Sequence, residues 1–440
     1  MSPPKIAIIG AGPAGCTLAR LLHLASIPVI VFEGEASPNY RSQGGTLDLH
    51  TATGLAALKE ADLLDEFLKH GRYDGDTLQV TDKDLKVYFK RAGPPVQKDK
   101  PPTLMEQRPE IDRADLRRIL TESLPEGVIQ WGRHLTRVEA IDNGGGSSGG
   151  FGLVFSDGTS ASGFDLVVGA EGAWSKTRQA LTDQAPVYAG VGAIELSVPD
   201  AETTAPALHA AVNRGNLFAH ADGLKLSAQQ MGDGSLVVYA GMAREDPDWA
   251  APDKCGYDSS DLEQTKKALT EGDGPFADWC DTLKDAIRLA GGGRCAARSM
   301  YVLPAGFRWE HRRGLTLIGD AAHVMSPYAG EGVNAAMADA MNLAKAIVQS
   351  TERPLPKGKS EGDVLDDGVA AFEEEMWTRV EKIVRLAEGL TKAWMFTPGV
   401  PQSVIATTTA MHARFRTPSI VHPLVTGLVH SYFFVKGLGK

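Results

Sequence analysis

Three glycines and one acid near the N-terminus have the types and spacing of a dinucleotide-binding site. Gly10, Gly12 and Gly15 give the pattern G-x-G-x-x-G directly after the apolar run Ile6–Ile9, and Glu33 ends a second such run 18 residues after Gly15. In a strand–turn–helix unit, such glycines let the backbone approach a pyrophosphate, and the acid accepts hydrogen bonds from a ribose. Because the chain contains 48 glycines, the spacing alone is weak evidence. The surrounding strand patterns carry the prediction, and the alternative is a glycine-tolerant turn in another α/β fold.

A second set of candidates lies in the C-terminal half. The strand-like run 315–318 (LTLI) is followed by Gly319 and Asp320, which places an acid at the carboxyl end of a predicted buried strand. A small-residue helix is predicted from 333 to 349. Between strand and helix lie three turn-forming residues: Pro327, Gly330 and Gly332.

Polar side chains elsewhere could contact the same ligand. Arg41 and Asp48 lie in the loop after the second predicted strand, and Glu171 lies in a turn after another buried strand pattern. Arg113 and Arg117 share one face of a predicted helix because they are four residues apart. For Arg41, Asp48 and Arg113 the alternative is a solvated surface charge.

The elements that must position these residues indicate an α/β protein. Short buried strand patterns followed by helices are typical of a parallel sheet covered on both faces. Residues 183–245 instead contain short alternating segments, which predict a mostly antiparallel sheet in a second domain. A long amphipathic helix is predicted from 366 to 396.

Composition narrows the classes of function. The 440 residues include 45 Lys and Arg against 55 Asp and Glu, and a net charge of −10 argues against a nucleic-acid partner. The four cysteines form no C-x-x-C pair and the histidines lack ligand spacing, so we expect neither disulfides nor a metal site. No uncharged apolar run is long enough to span a membrane, and residues 1–4 lack the apolar region of a signal peptide. We therefore expect a cytoplasmic protein. The apolar tail 425–435 is expected to be a packing or partner helix, with membrane contact as the alternative.

These motifs, in this order, resemble the group A FAD-dependent aromatic-hydroxylase family of monooxygenases. The resemblance rests on the glycine pattern with Glu33, on the turn 170–172 and on the segment 319–332 (GDAAHVMSPYAGEG). Segments 44–50 and 109–117 are most similar to the TetX-type branch, which inactivates tetracycline. The family implies a Rossmann-like FAD-binding domain of the glutathione-reductase-like type, an inserted, mostly antiparallel substrate domain and a C-terminal helix. We expect an FAD-binding domain at 1–75, 105–182 and 294–365, a substrate domain at 76–104 and 183–293, and a C-terminal helix and tail at 366–440.

Carried over residue by residue, the resemblance implies how FAD is bound. Gly10 and Gly12 would make room for the pyrophosphate at a helix N-terminus, whose partial positive charge favours an anion. Glu33 would bind the adenosine ribose, and Asp320 would hold a ribityl hydroxyl. The resemblance assigns further cofactor contacts to Gly15, Arg41, Asp48, Arg113, Arg117, Pro327, Gly330 and Gly332.

Among these, two groups have distinct expected partners. Gly330 and Gly332 would let the backbone approach the isoalloxazine ring, and the helix that starts there would stabilise negative charge on the reduced ring. Asp48 would contact the flavin, and Arg113 would reach the diphosphate or ribityl region. Arg41 matches a position that contacts NADPH in the TetX-type branch.

The chain departs from the family pattern at the middle motif and at the substrate wall. Glu171 replaces the usual Asp, which moves its charge by one methylene. The TetX-type wall carries a Gln, an Arg and a His, whereas this chain has Glu195, Asn216 and Val238 at the corresponding positions. We therefore predict a pocket with few charged partners and expect tetracycline to be a poor substrate.

The resemblance implies a monooxygenase in which NADPH reduces FAD, O2 forms a flavin C4a-hydroperoxide, and one oxygen atom enters a planar aromatic or polyketide-like molecule. The cofactor carries this chemistry, so no catalytic acid or base is predicted, and His323 is expected to be a structural hydrogen-bonding residue. The alternatives are an FAD-dependent oxidase or dehydrogenase on the same fold, a tetracycline-inactivating monooxygenase, and a non-enzymatic flavoprotein. The oligomeric state is not predicted.

Overall fold

The first sheet of the protein is parallel and buried. The computed structural model describes residues 3–38, 44–73, 77–91, 108–141, 150–293 and 295–437. The strands of this sheet are β1 (Ile6–Ile9), β2 (Val29–Phe32), β7 (Ile129–Gln130), β11 (Leu166–Gly169) and β17 (Leu315–Leu317). Their order is β17-β11-β1-β2-β7, and every neighbouring pair is parallel. All residues of β1, β11 and β17 are buried, as expected for a sheet covered on both faces.

The helices of the described residues pack on this sheet, on a second sheet described below and in the C-terminal part. They are α1 (Pro13–Leu24), α2 (Gly54–Glu60), α3 (Leu64–Leu68), α4 (Arg113–Glu122), α5 (Lys176–Gln179), α6 (Ala201–Thr204), α7 (Pro206–Val212), α8 (Pro252–Cys255), α9 (Leu262–Thr270), α10 (Asp281–Arg288), α11 (Asp320–His323), α12 (Gly332–Glu352), α13 (Glu361–Phe396), α14 (Ile405–Phe415) and α15 (His422–Val435). Helix α1 connects β1 to β2 and packs against α12, which in turn packs against α13.

Helix α13 begins at Glu361, five residues before the predicted start. The Ser360 side chain accepts a hydrogen bond from the Asp363 amide, and the Asp363 carboxylate accepts one from the Ser360 amide. This reciprocal capping box satisfies amides of the first helical turn and therefore fixes where the helix starts.

A second, larger sheet confirms the expectation of a mostly antiparallel substrate-side sheet. Its strands are β4 (Leu78–Asp82), β5 (Val87–Arg91), β12 (Val187–Val198), β13 (Asn216–Ala221), β14 (Leu224–Gln230), β15 (Leu236–Ala243) and β16 (Cys295–Val302). The order is β16-β12-β15-β14-β13-β4-β5, and only the β13–β4 pair is parallel. One face of this sheet is packed into an apolar core with α7 and α10.

The structure differs from the predicted domain boundary at residue 294. Strand β16 pairs with β12, so these residues extend the seven-stranded sheet, although we assigned them to the FAD-binding domain. The remaining domain boundaries stay predictions.

Two small sheets complete the described architecture. A three-stranded antiparallel sheet contains β8 (Leu135–Ala140), β9 (Phe151–Phe155) and β10 (Ser160–Ala161). The other pairs β3 (Thr46–Asp48) with β6 (Glu110–Asp112) in antiparallel register, which sets Asp48 opposite Glu110. This pairing brings the loop after β2 next to the start of α4.

Helix α15 leaves several apolar side chains exposed, including Leu424, Leu428 and Phe434. Among the described residues, no helix has both the length and the apolar character needed to cross a membrane.

Candidate active site

A cavity of about 1520 Å³ extends from the glycine turn after β1 to one face of the seven-stranded sheet. It brings together residues from both ends of the sequence. The predicted site residues that line it are Gly10, Gly12, Glu33, Asp48, Arg113, Arg117, Asn216, Asp320, Pro327, Gly330 and Gly332. Arg41 lies outside the described residues, so its assignment stays a prediction.

Glycine occupies the three positions of the turn for different structural reasons. Gly10 has φ +102°, and a Cβ there would lie 2.5 Å from the Ala170 carbonyl oxygen of the neighbouring strand end. A Cβ at Gly15 would lie 2.0 Å from the Gly10 carbonyl oxygen, so helix α1 could not pack as it does. A Cβ at Gly12 would meet no protein atom within 4 Å and would face the cavity. Gly10 and Gly15 are therefore required by the fold, whereas Gly12 leaves space open beside the N-terminus of α1.

Glu33 ends β2 and supports the turn directly. One carboxylate oxygen accepts a hydrogen bond from the Ala11 amide at 2.6 Å, and the other accepts one from the Glu35 amide at 2.9 Å. Because each carboxylate oxygen can accept a second hydrogen bond, this geometry leaves capacity for the hydroxyls of a ribose.

The two arginines of α4 differ in environment. Arg113, at the first helical position, lines the cavity. Arg117 is buried: its Nη1 lies 2.6 Å from an oxygen of Glu35, and its guanidinium lies 5.7 Å from the Trp131 ring centroid. Arg117 therefore holds the loop after β2 in place as well as lining the cavity.

Asp320 follows β17 and exposes its carboxylate to the cavity. No side chain in the described part of the chain pairs with it. The turn behind it is fixed by Asp339, which accepts hydrogen bonds from the Gly319 amide at 2.8 Å and from His323 at 2.6 Å. Arg379 also donates to Asp339, at 3.0 Å. His323 is thus held in a buried polar network, in the structural role expected for it.

The loop containing Asp48 forms an ion cluster that the sequence did not reveal. His50 lies 3.1 Å from Asp48 and 3.1 Å from Glu331, and Arg108 lies 3.4 Å from Asp48. Burial lowers the pKa of His50, but the two carboxylates outweigh it and raise that pKa above its usual value. Asn334 ties the cluster to α12, since its side chain accepts from the His50 amide and donates to the Asp48 carbonyl, both at 2.8 Å. Asp48 is therefore already partnered rather than a free carboxylate.

Glu171 also has a protein partner. One of its carboxylate oxygens accepts a hydrogen bond from the Thr177 amide at 2.7 Å, at the start of the short helix α5. The residue lines the cavity beside Gly172.

Two of the three residues predicted to contact the substrate do not line the cavity. Val238 is fully buried in the apolar core on the opposite face of the sheet, together with Leu196, and does not line the cavity. Its neighbour Tyr239 faces the cavity instead, because side chains alternate along a strand and a shift of one residue reverses the face. Glu195 is buried, lies 3.3 Å from Arg298 and does not line the cavity either. Asn216 does line it.

The wall is more polar than predicted. The Asn216 amide donates to Glu110 at 2.5 Å, and the Gln229 amide donates to the Asn216 oxygen at 2.7 Å. Burial raises the pKa of Glu110 to about 7, against the lowering effects of Asn216 and the Arg72 guanidinium. The expectation of few charged partners stays a prediction, because two of these three side chains are uncharged amides. No signal in the sequence distinguished the cavity-facing residues of these strands from the core-facing ones.

Aromatic residues surround the same wall. His220 stacks on Trp394 at a centroid distance of 4.2 Å, and Phe218, Tyr239 and Tyr328 also line the cavity. A planar molecule would therefore meet ring faces on several sides.

The glycine end of the cavity fits a dinucleotide. A Cβ at Gly12 or at Gly332 would meet no protein atom within 4 Å, so both positions leave space open toward the cavity. These glycines stand at the N-termini of α1 and α12, where backbone amides favour phosphate or other negative charge. Glu33 and Asp320 add carboxylates that can accept from sugar hydroxyls.

Residues 4–259 and 308–365 match the family described as "FAD binding domain". The chain belongs to this family. Monooxygenase penA of Penicillium thymicola is 32% identical over 423 residues, which cover 87% of this chain and 93% of that relative. The chain is an FAD-dependent monooxygenase of the aromatic-hydroxylase type.

Solved structures show the same fold. HpxO of Klebsiella pneumoniae, in a variant complexed with FAD, superimposes with a TM-score of 0.69 at 20% identity and covers 97% of both chains. The tetracycline destructase Tet(55) gives a TM-score of 0.66 at 16% identity and covers 94% of this chain and 97% of its own. These similarities confirm the fold expected from the sequence.

Proposed function

We propose that this enzyme uses NADPH and O2 to insert one oxygen atom into a planar aromatic or polyketide-like small molecule. One observation carries the proposal: the cavity is continuous from the glycine turn to the aromatic side chains of the sheet wall. A cofactor bound at the first end would face a ligand bound at the second. Pockets that combine apolar walls with a few convergent polar groups are typical small-molecule sites.

When bound, FAD supplies a group that can accept a hydride and activate O2. In the proposed arrangement Gly10 and Gly12 face the pyrophosphate, Glu33 binds the adenosine ribose and Asp320 accepts from the ribityl chain. Gly332 leaves room for the ring system at the N-terminus of α12. Arg113 lines the space between these positions and would add positive charge toward the diphosphate.

The protein's own contribution is to orient the substrate and exclude water. Tyr328 and Trp394 lie against the cavity from outside the sheet, while Phe218 and Tyr239 lie on it. Rings on several sides favour a flat ligand and remove water from the reacting atoms, which protects reactive intermediates from hydrolysis. Asn216, Gln229 and Glu110 provide hydrogen-bonding groups that fix the ligand's orientation.

Tetracycline is a compound to test rather than to exclude. Val238 and Glu195 were expected to disfavour its binding, and neither residue lines the cavity. Of the three wall substitutions only Asn216 remains as a difference from the TetX-type wall.

The test is steady-state oxidation of NADPH by the FAD-loaded enzyme in the presence of phenols, polyketide-type aromatics and tetracycline. We expect a yellow protein with about one non-covalent FAD per chain and a rate that rises with a subset of these compounds. NADH in place of NADPH serves as the matched control for the reductant. A protein that takes up no FAD, or a rate that no compound changes, would contradict the proposal.

A further inference from the structure

Lys225 places a positive charge on the cavity wall. It is the second residue of β14, where its cross-strand partners are His220 and Gly241, and its side chain lines the cavity. The next residue, Leu226, points to the opposite face and is part of the apolar core. Alternation along the strand therefore directs Lys225 toward any ligand in the cavity.

Two aromatic rings hold the ammonium group in position. The Lys225 Nζ lies 4.4 Å from the ring centroid of Phe218, on the neighbouring strand, and 4.4 Å from that of Tyr328, in the turn before α12. Such cation–π contacts stabilise and orient a cation, but they do not neutralise its charge.

No carboxylate among the described residues forms an ion pair with Lys225. Acids near the wall have other partners: Glu110 accepts from Asn216, and Glu195 pairs with Arg298. Asp82, which lies opposite His220 on β4, accepts from the Asp84 and Lys86 amides. Burial lowers the pKa of the neighbouring His220 well below its usual value, so that ring is neutral. Burial lowers the pKa of Lys225 to about 8, which leaves it mainly protonated at pH 7. A cation withdrawn from bulk water without a counter-ion is costly, and a ligand anion would compensate it.

We propose that Lys225 is a substrate-positioning residue that selects planar molecules carrying an ionised acidic oxygen, such as a carboxylate, phenolate or enolate. This inference rests on the proposed function and names the substrate class for the same site. The ionised oxygen lies at the Lys225 ammonium, and the ring of the substrate lies along the aromatic wall.

The first test measures equilibrium binding to the FAD-loaded enzyme at pH 7 with two probes of the same shape, salicylate and salicylamide. We expect the wild-type enzyme to bind the acid at least about tenfold more tightly, a difference typical of a desolvated ion pair. Lys225→Met should remove this preference, and Lys225→Arg should retain it. Lys86→Met is the matched control, because Lys86 also lies over a ring, that of Tyr88 at 5.0 Å, but is exposed and does not line the cavity.

Wild-type enzyme that binds both probes equally or neither, or a Lys225→Met variant that keeps the preference for the acid, would overturn the inference. A second measurement needs no ligand: the uncompensated charge predicts a higher melting temperature for Lys225→Met than for wild type. A lower melting temperature would show that Lys225 stabilises the fold, which also overturns the inference. Failure of the proposed function is distinguishable, since it would appear as absence of NADPH-driven oxygen insertion with acidic and neutral compounds alike.

Discussion

The two ends of the cavity differ in the atoms that shape them, which are main-chain atoms at one end and side-chain atoms at the other. At the glycine end, main-chain atoms set the geometry: Gly10 and Gly15 approach neighbouring carbonyl oxygens so closely that a Cβ would lie within 2.5 Å of them. At the sheet end, side chains set it, through the Gln229–Asn216–Glu110 hydrogen bonds and the rings beside Lys225.

Because of this difference, the two ends tolerate different amino-acid substitutions. A main-chain site depends on a few glycines that no other residue can replace without moving the backbone. A side-chain wall depends on residue identity at alternate positions, so it can change from one relative to another while the fold stays the same. We therefore expect substitutions at the glycine end to affect folding and cofactor binding, and substitutions on the wall to affect ligand selectivity.

The largest effect should follow Gly15→Ala. Its Cβ would lie 2.0 Å from the Gly10 carbonyl oxygen, so α1 must move away from β1 and the folded protein should be lost or strongly destabilised. Gly12→Ala is the matched control, because its Cβ meets no protein atom within 4 Å. We expect Gly12→Ala to keep the melting temperature of the FAD-free protein while lowering FAD occupancy. Equal thermal stability of the two variants would break the comparison.

Glu110 gives the next effect, and it depends on pH. Its folded-state pKa is raised from 4.5 to about 7 by burial, so the folded state binds more protons than the unfolded state between these values. Stability must then fall as pH rises from about 4.5 to 7, by an amount on the order of 3 kcal/mol from this group. Glu110→Gln should remove this part of the pH dependence of the free energy of unfolding, measured by urea denaturation at several pH values. If the free energy of unfolding varied with pH in the same way in the variant and the wild type, the raised pKa of Glu110 would be contradicted.

Asp320→Ala tests the cofactor end without a packing clash. A charge-assisted hydrogen bond to the ribityl chain is worth about 1.5–3 kcal/mol, so FAD affinity should fall roughly 10- to 150-fold. Fluorescence titration of the FAD-free protein measures this. Asp320→Asn should recover part of the affinity, since the amide oxygen still accepts. Unchanged affinity in both variants would remove Asp320 from the site.

Val238→Ala should give the smallest effect and sharpens the assignment of the wall. Val238 is fully buried in the core, so the variant should lose about 1.5 kcal/mol of stability for the removed methyl groups. Its ligand preference should not change, whereas Tyr239→Phe should change it, because Tyr239 lines the cavity. A change of preference in Val238→Ala alone would restore the original assignment.

The same difference explains how much could be predicted from the sequence. The sequence predicts Gly10, Gly12, Glu33 and Asp320 as residues of one site, and all four line the cavity, because glycine spacing and strand-end acids form a pattern that a backbone of this kind requires. Val238 was misplaced because an alignment shifted by one residue reverses the face of a strand.

Other residues left no local pattern at all. His50 meets Glu331 only in the fold, since they are 281 positions apart along the chain. Glu110 and Asn216 also meet only in the fold, since they are 106 positions apart. In the sequence, Lys225 cannot be distinguished from an ordinary strand lysine. Only the fold brings the rings of Phe218 and Tyr328 next to its ammonium group. Such sites depend on which strands become neighbours, and that information is not local.

We propose that one cavity holds FAD at the glycine end and a substrate at the sheet wall, so that the substrate would lie within reach of oxygen activated at the cofactor. Incubation of the FAD-loaded enzyme with NADPH, isotopically labelled O2 and a compound that accelerates NADPH oxidation tests it directly by mass spectrometry of the product. We predict a product that carries one labelled oxygen atom per molecule. A product without label, formed while NADPH or substrate is oxidised, would contradict the claim and favour an oxidase or dehydrogenase.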